Sequence, residues 1–158
     1  MQTDRGVRHA TADDAPALAA LRRRAAASGI APEALAAGAG PVRSYLLHEG
    51  AGPIGFCDVE RDPQLDWAPP GAARIRAFFI APERGHTGLG AYLALSVLRL
   101  EPGVPAWVGT AAADNRAIRG FWEFLEQVLA REGWRLQSRP AENGEIRFIA
   151  LRKDAPSP

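Results

Sequence analysis

The chain has 158 residues, of which 47% are hydrophobic and 23% charged, and its formal net charge is +1. This length and apolar content predict one domain with a self-sufficient core, and the mixed charges exclude the basic stripe that nucleic acids or anionic membranes select. The single cysteine, Cys57, excludes an internal disulfide framework, and His9, His48 and His86 lack the spacing of metal ligands, so we assign no metal.

The first residues of the sequence do not resemble a signal peptide. Residues 1–5 are not an apolar segment, and no run in the sequence approaches membrane-spanning length. We therefore expect a cytoplasmic protein. We expect residues 1–153 to form the single domain and residues 154–158 a flexible tail.

The first half of the chain predicts a strand, two helices and a hairpin. Thr11 and Asp14 resemble a capping box that opens the first helix, and Gly29 ends it. Residues 22–24 are three consecutive arginines on this helix, which predicts a solvated face rather than a phosphate clamp. The other predicted elements are a strand at 7–11, a short helix at 32–35 and hairpin strands at 42–48 and 54–60.

A long loop follows the hairpin. Residues 61–73 contain three prolines and a glycine, and loops of this length are often functional. Trp67 within it has two interpretations: it pins the loop to the body of the protein, or it caps a pocket.

The second half of the chain alternates strands and helices before a closing hairpin. The helix at 89–100 is apolar around most of its circumference, which predicts burial on several sides. The remaining predicted elements are strands at 74–81, 104–110, 134–137 and 146–151 and an amphipathic helix at 115–131. The overall class is mixed α/β.

The most informative segment is the glycine-rich turn at residues 82–90, which joins a strand to a helix. Such a turn predicts an anion site, because glycines allow close approach and the first N–H groups of the helix have no intrahelical partner. A P-loop is excluded, because the lysine and hydroxyl residue that would end it are absent. A dinucleotide fingerprint would need a third glycine where Leu93 stands.

Ile80-Ala81-Pro82 and Gly88-Leu89-Gly90 resemble, in register, the acyl-CoA turn of the GNAT superfamily of N-acyltransferases. The predicted elements follow the family's order from about residue 6 to residue 152. The resemblance implies an α/β (α+β) fold with a central mixed, mostly antiparallel sheet of about seven strands flanked by helices.

The resemblance also implies where acetyl-CoA binds. The pantetheine arm enters between the fourth and fifth strands and bonds to main-chain groups of Phe78 and Ile80. The pyrophosphate lies on the turn, and two further positions follow the fifth strand. The implied cofactor-binding residues are Phe78, Ile80, Arg84, Gly85, His86, Thr87, Gly88, Leu89, Gly90, Asn115 and Phe121.

The catalytic groups are less clearly marked. Asp58 and Glu60 share a strand face by period two and are candidate bases, with His48 and Glu49 as alternatives. Relatives place a proton-donating tyrosine seven residues after an asparagine-type turn.

Two registers give that separation, Asp114 with Phe121 and Asn115 with Trp122, and neither aromatic residue has a hydroxyl group. Tyr92 is an alternative donor, and local packing is its other interpretation.

Two functions of different classes follow. The first is an N-acyltransferase that moves an acetyl group from acetyl-CoA to a primary amine on a small molecule or peptide, without a metal. The second is a degenerate member that binds CoA, or serves as a regulatory module, without catalysis. A third interpretation is a nucleotide-binding protein that uses the same turn for another phosphate. The sequence predicts no nucleic-acid or membrane partner and leaves the oligomeric state open, with a homodimer as one option.

Overall fold

The computed structural model describes residues 4–30, 32–35, 41–50, 52–84, 88–112, 114 and 116–154. Seven strands and four helices lie within these residues. The strands are β1 (Arg5–His9), β2 (Val42–Glu49), β3 (Gly52–Arg61), β4 (Ala73–Ile80), β5 (Ala106–Ala112), β6 (Trp134–Pro140) and β7 (Glu145–Arg152). The helices are α1 (Ala15–Ala27), α2 (Pro32–Leu35), α3 (Leu89–Leu100) and α4 (Arg116–Arg131). The expected tail beyond residue 154 lies outside the described residues.

The strands form one sheet in the order β1-β2-β3-β4-β5-β7-β6. Every neighbouring pair is antiparallel except β4 and β5, which are parallel. The sheet is therefore mixed and mostly antiparallel, as predicted. Helix α3 makes the crossover between β4 and β5, which a parallel pair requires.

Apolar side chains cover both faces of the sheet. On the face that we call the α3/α4 face, Leu93 and Val97 of α3 and Leu125 of α4 pack with Tyr45 and Trp107 of the sheet. The opposite face, the α1 face, carries two separate clusters. Leu21 and Ala25 of α1 pack on Leu46, Phe56 and Phe79, whereas the loop between β3 and β4 packs on β5 and β7 through Leu65, Trp67, Val108 and Ile149.

The predicted capping box is present at the start of the helical segment. The Asp14 carboxylate accepts the Thr11 backbone N–H at 2.7 Å and two bonds from Arg8, each at 2.7 Å. The Arg8 bonds, followed by the Thr11 bond, hold the pKa of Asp14 well below its usual range. A turn of 3-10 helix at Ala12–Asp14 then leads into α1.

Two details of the first helix and strand differ from the sequence expectation. Strand β1 begins at Arg5, because the pairing with β2 extends to Glu49. Arg22 does not lie on a solvated face, because its guanidinium reaches across to a carboxylate on β3. Periodicity along one helix does not reveal a partner 36 residues away.

Two further side chains lie in the core or against it, and the first interpretation of Trp67 is confirmed. Cys57 is fully buried in the core, where burial raises the pKa of its thiol. Trp67 packs on the cluster over β5 and β7 and so fixes the loop to the body of the protein. None of the described helices is long and apolar enough to cross a membrane.

Candidate active site

The parallel strands β4 and β5 pair over a very short distance. Ala73 lies opposite Trp107 and Arg74 opposite Val108, and no further pair follows. Beyond Arg74, β4 continues to Ile80 and, among the described strands, pairs with β3 alone. We call the gap between residues 75–80 and 109–112 the wedge. Main-chain groups that point into the wedge have no partner among the described strands, so an extended ligand can bond to them as an added strand.

A β-bulge lies just above the closed end of the wedge. Asp58 pairs with Ala77 and Val59 pairs with Ile75, so Arg76 is the extra residue on β4. A bulge interrupts the hydrogen-bond ladder and re-aims main-chain groups. The main-chain groups near Arg76 are therefore placed differently from those of a regular ladder.

The glycine-rich turn meets α3 at the open end of the wedge. Gly88 has φ +77° and caps α3 without a side-chain hydrogen bond, and a Cβ added there would meet nothing within 4 Å. The first N–H groups of α3 have no intrahelical partner, so an anion beside Gly88 can accept from them. Leu89 is buried and fixes this end of the helix in the core. The predicted residues Gly85, His86 and Thr87 lie outside the described residues.

Aromatic side chains from α4 border the wedge. A ring carbon of Phe121 lies 2.9 Å from the position that a Cβ at Gly90 would occupy, and the rings of Phe78 and Phe121 are 5.2 Å apart. The structure therefore brings together Phe78, Gly90 and Phe121, which the sequence assigned to the cofactor. Ile80 packs against the edge of the same core.

The neighbouring residue, Trp122, covers β5 instead. Its ring lies 3.2 Å from the position of a Cβ at Gly109 and stacks on Phe148 at 4.3 Å. Of the two aromatic residues, Phe121 is thus the one that faces the glycine turn. This favours the register that pairs it with Asp114; Asn115 lies outside the described residues. Tyr92 is partly exposed beside Arg5, whose guanidinium lies 5.9 Å from its ring.

A small apolar cavity of about 20 Å³ lies at the closed end of the wedge. Its walls come from the sheet and from helices α3 and α4. The lining residues are Ile75, Ala94, Leu98, Trp107, Val108, Trp122, Leu125, Leu129 and Ala150.

The turn residue Arg84 is engaged in an ion-pair network at the edge of the site. Its guanidinium donates to the Glu49 carboxylate, which also accepts from Arg5 at 3.2 Å. The Arg84 bond holds the pKa of Glu49 below its ordinary value. A phosphate on this turn would compete with Glu49 for Arg84.

The two predicted bases have different surroundings, although both are 2% exposed. Asp58 accepts two bonds from Arg22, at 2.5 and 2.8 Å, and a third from the Ser44 hydroxyl at 2.6 Å. Glu60 accepts from Arg76 of the bulge at 3.0 Å. Glu60 is opposite Arg74, at the closed end of the wedge, and Asp58 is tied to α1.

The two alternative bases lie at the far side of the sheet. His48 and Glu49 are at the end of β2, where they pair with β1. The His48 ring covers Gly6 of β1, since an added Cβ there would lie 2.8 Å from Nε2. Neither residue is on a strand that borders the wedge.

Comparison with known proteins gives a match in fold. No family model and no curated protein matches the sequence. Among solved structures, diaminobutyrate acetyltransferase EctA from Paenibacillus lautus, in complex with L-2,4-diaminobutyric acid and coenzyme A, superposes with a TM-score of 0.69 at 13% identity, covering 99% of this chain and 100% of its own.

A GNAT-family acetyltransferase from Streptococcus pneumoniae gives a TM-score of 0.63 at 15% identity, covering 94% of this chain and 99% of its own. The ribosomal-protein-S18-alanine N-acetyltransferase from Escherichia coli gives 0.60 at 19% identity, covering 98% and 97%. The chain has the GNAT fold. In this GNAT fold, the bulge lies beside the closed end of the wedge, and the start of α3 follows the end of β4.

Some features of this GNAT site could not be found in the sequence. The ion pair between Arg76 and Glu60 depends on the bulge, for which the sequence has no local signal. Arg147 is on β7, yet its guanidinium lies 5.1 Å from the ring of Trp67 in the β3–β4 loop. Tyr45 faces the α3/α4 core and donates to Glu101, a contact that no local pattern indicates.

Proposed function

We propose that this protein is an acyl-CoA-dependent N-acyltransferase that moves an acetyl group from acetyl-CoA to a primary amine by direct attack. The observation that carries the proposal is the wedge: two strands that pair over two residues and then separate, with a glycine turn and a helix N-terminus at the open end. A diphosphate at one end and an extended, strand-like arm along the gap are the two parts of coenzyme A.

The described residues fit this ligand. Gly88 has no side chain and no neighbour within 4 Å of its Cβ position, and the N–H groups of the first turn of α3 can donate to phosphate oxygens. Phe78 and Ile80 are two residues apart on β4, so their main-chain groups point to the same edge. Phe121 provides an apolar wall between α3 and α4. We assign the remaining contacts to Arg84, Gly85, His86, Thr87, Leu89, Gly90 and Asn115.

The chemistry requires alignment, a base and an oxyanion site. In this proposal a main-chain N–H at the bulge around Arg76 stabilises the developing oxyanion. Glu60 takes a proton from the acceptor ammonium through water, because it is the carboxylate at the closed end of the wedge, and the neutral amine then attacks the thioester carbonyl. Asp58 is the second candidate, but its three hydrogen bonds favour a structural role. The CoA thiolate leaves without a tyrosine, since a thiol pKa of about 8.5 makes it a fair leaving group.

A second candidate function is a CoA-binding module without catalysis. Two observations favour it. Phe121 faces the glycine turn without a hydroxyl group, and Arg84 is bonded to Glu49 rather than directed to a free anion site.

Calorimetry with CoA, acetyl-CoA, NAD and ATP tests the cofactor first. We expect binding of CoA and acetyl-CoA alone, and the absence of any heat with either would contradict both functions. A thiol-release assay with acetyl-CoA and a panel of amines then separates the two, because only the enzyme releases free thiol faster when an amine is added.

A matched pair of glycine variants tests the location of the site. Gly88→Val should abolish CoA binding through strain at φ +77° in the turn. Gly133→Val introduces the same strain at φ +86°, with nothing within 4 Å of the added Cβ, but at the far end of α4. Equal CoA affinity in the two variants would show that the turn does not hold the phosphates.

A further inference from the structure

Arg74, at the closed end of the wedge, has no counter-ion among the described residues. Its Nε is buried and has no hydrogen-bond partner among the described residues, and no described carboxylate lies within ion-pair distance of its guanidinium. Removing such a donor from water without a partner is unfavourable. A half-buried guanidinium of this kind is suited to an anion supplied from outside.

The position of Arg74 connects it to the proposed reaction. It lies opposite Glu60 on β3 and opposite Val108 on β5, at the last paired position before the wedge opens. Glu60, its partner across the strands, is already bonded to Arg76 at 3.0 Å. The cation therefore lies beside the proposed base without being neutralised by it.

A second cation lies further along the same face. Arg147 is opposite Thr110, and Thr110 is two residues from Val108, so its side chain is on the α1 face with that of Arg74. Two strand spacings across the sheet and two residues along it place the backbones of Arg74 and Arg147 about 12 Å apart. The ring of Trp67 holds the Arg147 guanidinium at 5.1 Å, and no described carboxylate pairs with it. The loop and α1 leave this strip of polar residues between their two apolar clusters.

We propose that the acceptor is a primary amine that carries a carboxylate, which Arg74 binds, with Arg147 as a second cation beyond it. This inference rests on the proposed N-acyltransferase function and names its substrate class. Planar guanidinium groups bind carboxylates through two parallel hydrogen bonds. Directly opposed strand residues have Cβ atoms about 5 Å apart, so Glu60 and Arg74 match an amine and a carboxylate separated by a few bonds.

The carboxylate can come from a free amino acid or from an acidic first residue of a peptide, and the test separates these sources. Free amines are compared in matched sets: alanine, alaninamide and ethylamine, then lysine, lysinamide and cadaverine. Peptides are compared as Glu-Ala-Ala-amide and Gln-Ala-Ala-amide. We expect kcat/KM in thiol release to be at least about 10-fold higher for the acid than for its amide in one set, as for a charge-assisted pair.

Variants assign that preference to Arg74. Arg74→Gln should lower kcat/KM for the acid at least about 10-fold more than for the matched amide, and Arg147→Gln should do so to a smaller degree. Arg74→Lys keeps the charge and the apolar stem, so it should retain part of the preference for the acid over the amide. This variant controls for a folding defect caused by loss of the arginine side chain. Arg23→Gln, the same substitution at an exposed residue of α1, should leave the ratio of acid to amide as in the wild type.

Calorimetry of alanine and alaninamide with the CoA-saturated protein supplies a readout that does not need turnover. Equal affinity or equal rates for acid and amide in the wild type would overturn the inference, as would an Arg74→Gln variant that loses both alike. Transfer without carboxylate preference refutes this inference alone, whereas absence of CoA binding refutes the proposed function beneath it.

Discussion

The ring of Phe121 packs directly onto Gly90, so that a Cβ at residue 90 would lie 2.9 Å from a ring carbon. The first turn of α3 and the first turns of α4 are therefore in contact at the open end of the wedge. Glycine is required at this position because the Phe121 ring of α4 occupies the space of a side chain. A positive φ is not the reason, since Gly90 does not have one.

Replacing Gly90 by alanine should displace Phe121 and weaken CoA binding. Overpacking of this kind costs about 1–3 kcal/mol, and we expect the dissociation constant for CoA to rise about 10-fold in calorimetry. Gly103→Ala is the control, since a Cβ there meets nothing within 4 Å. An unchanged dissociation constant in Gly90→Ala would separate this contact from the cofactor site.

Replacing Phe121 by tyrosine should accelerate turnover. The change adds a hydroxyl to the aromatic residue that faces the glycine turn, where it can donate a proton to the departing thiolate. General acid catalysis typically contributes about 100-fold or more. Because the thiolate is already a fair leaving group, we expect kcat to rise by only about 3- to 10-fold. Phe124→Tyr, on the exposed side of α4, should not change kcat. A rate in Phe121→Tyr equal to that of the wild type would argue against a proton transfer from this position.

Substituting the two buried carboxylates should separate catalysis from folding. Glu60→Gln should lower kcat of the folded protein at least about 100-fold and remove a limb of the pH–rate profile. It also breaks the buried pair with Arg76, so kcat is compared at conditions where urea denaturation shows the variant to be folded. Asp58→Asn breaks a buried pair with Arg22 and should lower the free energy of unfolding by about 3 kcal/mol in urea denaturation. Glu126→Gln, at an exposed site on α4, serves as the control. If Asp58→Asn loses activity at full stability while Glu60→Gln stays active, the roles are reversed.

Trp122 should limit the length of the acyl chain. It forms one wall of the cavity of about 20 Å³ at the closed end of the wedge, which is too small for a long chain. Trp122→Leu should raise the ratio of kcat/KM for hexanoyl-CoA to that for acetyl-CoA about 10-fold, which corresponds to about 1.4 kcal/mol. Trp134→Leu also removes a buried indole, but away from the cavity, and should leave this ratio as it is. A constant ratio in Trp122→Leu would place the acyl chain elsewhere.

Tyr45 should make the protein sensitive to alkali. Burial and the hydrogen bond to Glu101 raise the pKa of Tyr45 to about 12, against 10.0 for the free side chain. The folded state thus keeps a proton that the unfolded chain loses, so this contribution to stability is complete below about pH 10 and is lost as the pH rises toward 12. Absorbance of tyrosinate at high pH should show one late step that Tyr45→Phe removes. The step should persist in Tyr92→Phe, which removes the other of the two tyrosines; its persistence in Tyr45→Phe would contradict the assignment.

Most of the fold could be predicted from the sequence because its signals are local. The apolar run of α3 and the amphipathic pattern of α4 gave helices that end where the structure ends them, at Leu100 and Arg131. The glycine turn predicted the join of β4 and α3. Strand limits shifted by a few residues, as at β5, which begins at Ala106 rather than Val104, because pairing with a neighbour decides where a strand ends.

The chemistry of the candidate site was less accessible, because its contacts join distant positions. Asp58 looked equivalent to Glu60 in the sequence, and only the partner Arg22, 36 residues away, distinguishes them. Tyr45 meets Glu101 across 56 residues. The bulge at Arg76 depends on register between strands, which alternation of residue types does not specify.

The short pairing of β4 with β5 also affects how the molecule holds together. Two half-sheets, β1 to β4 and β5 to β7, pair with each other only briefly, and α3, α4 and the loop between β3 and β4 pack across the two halves. A ligand that bonds to both edges of the wedge would join the two half-sheets. It would then stabilise the fold as an added strand does, as well as take part in the reaction. Amide protons along both edges should then exchange with solvent far more slowly in the liganded protein than in the free one.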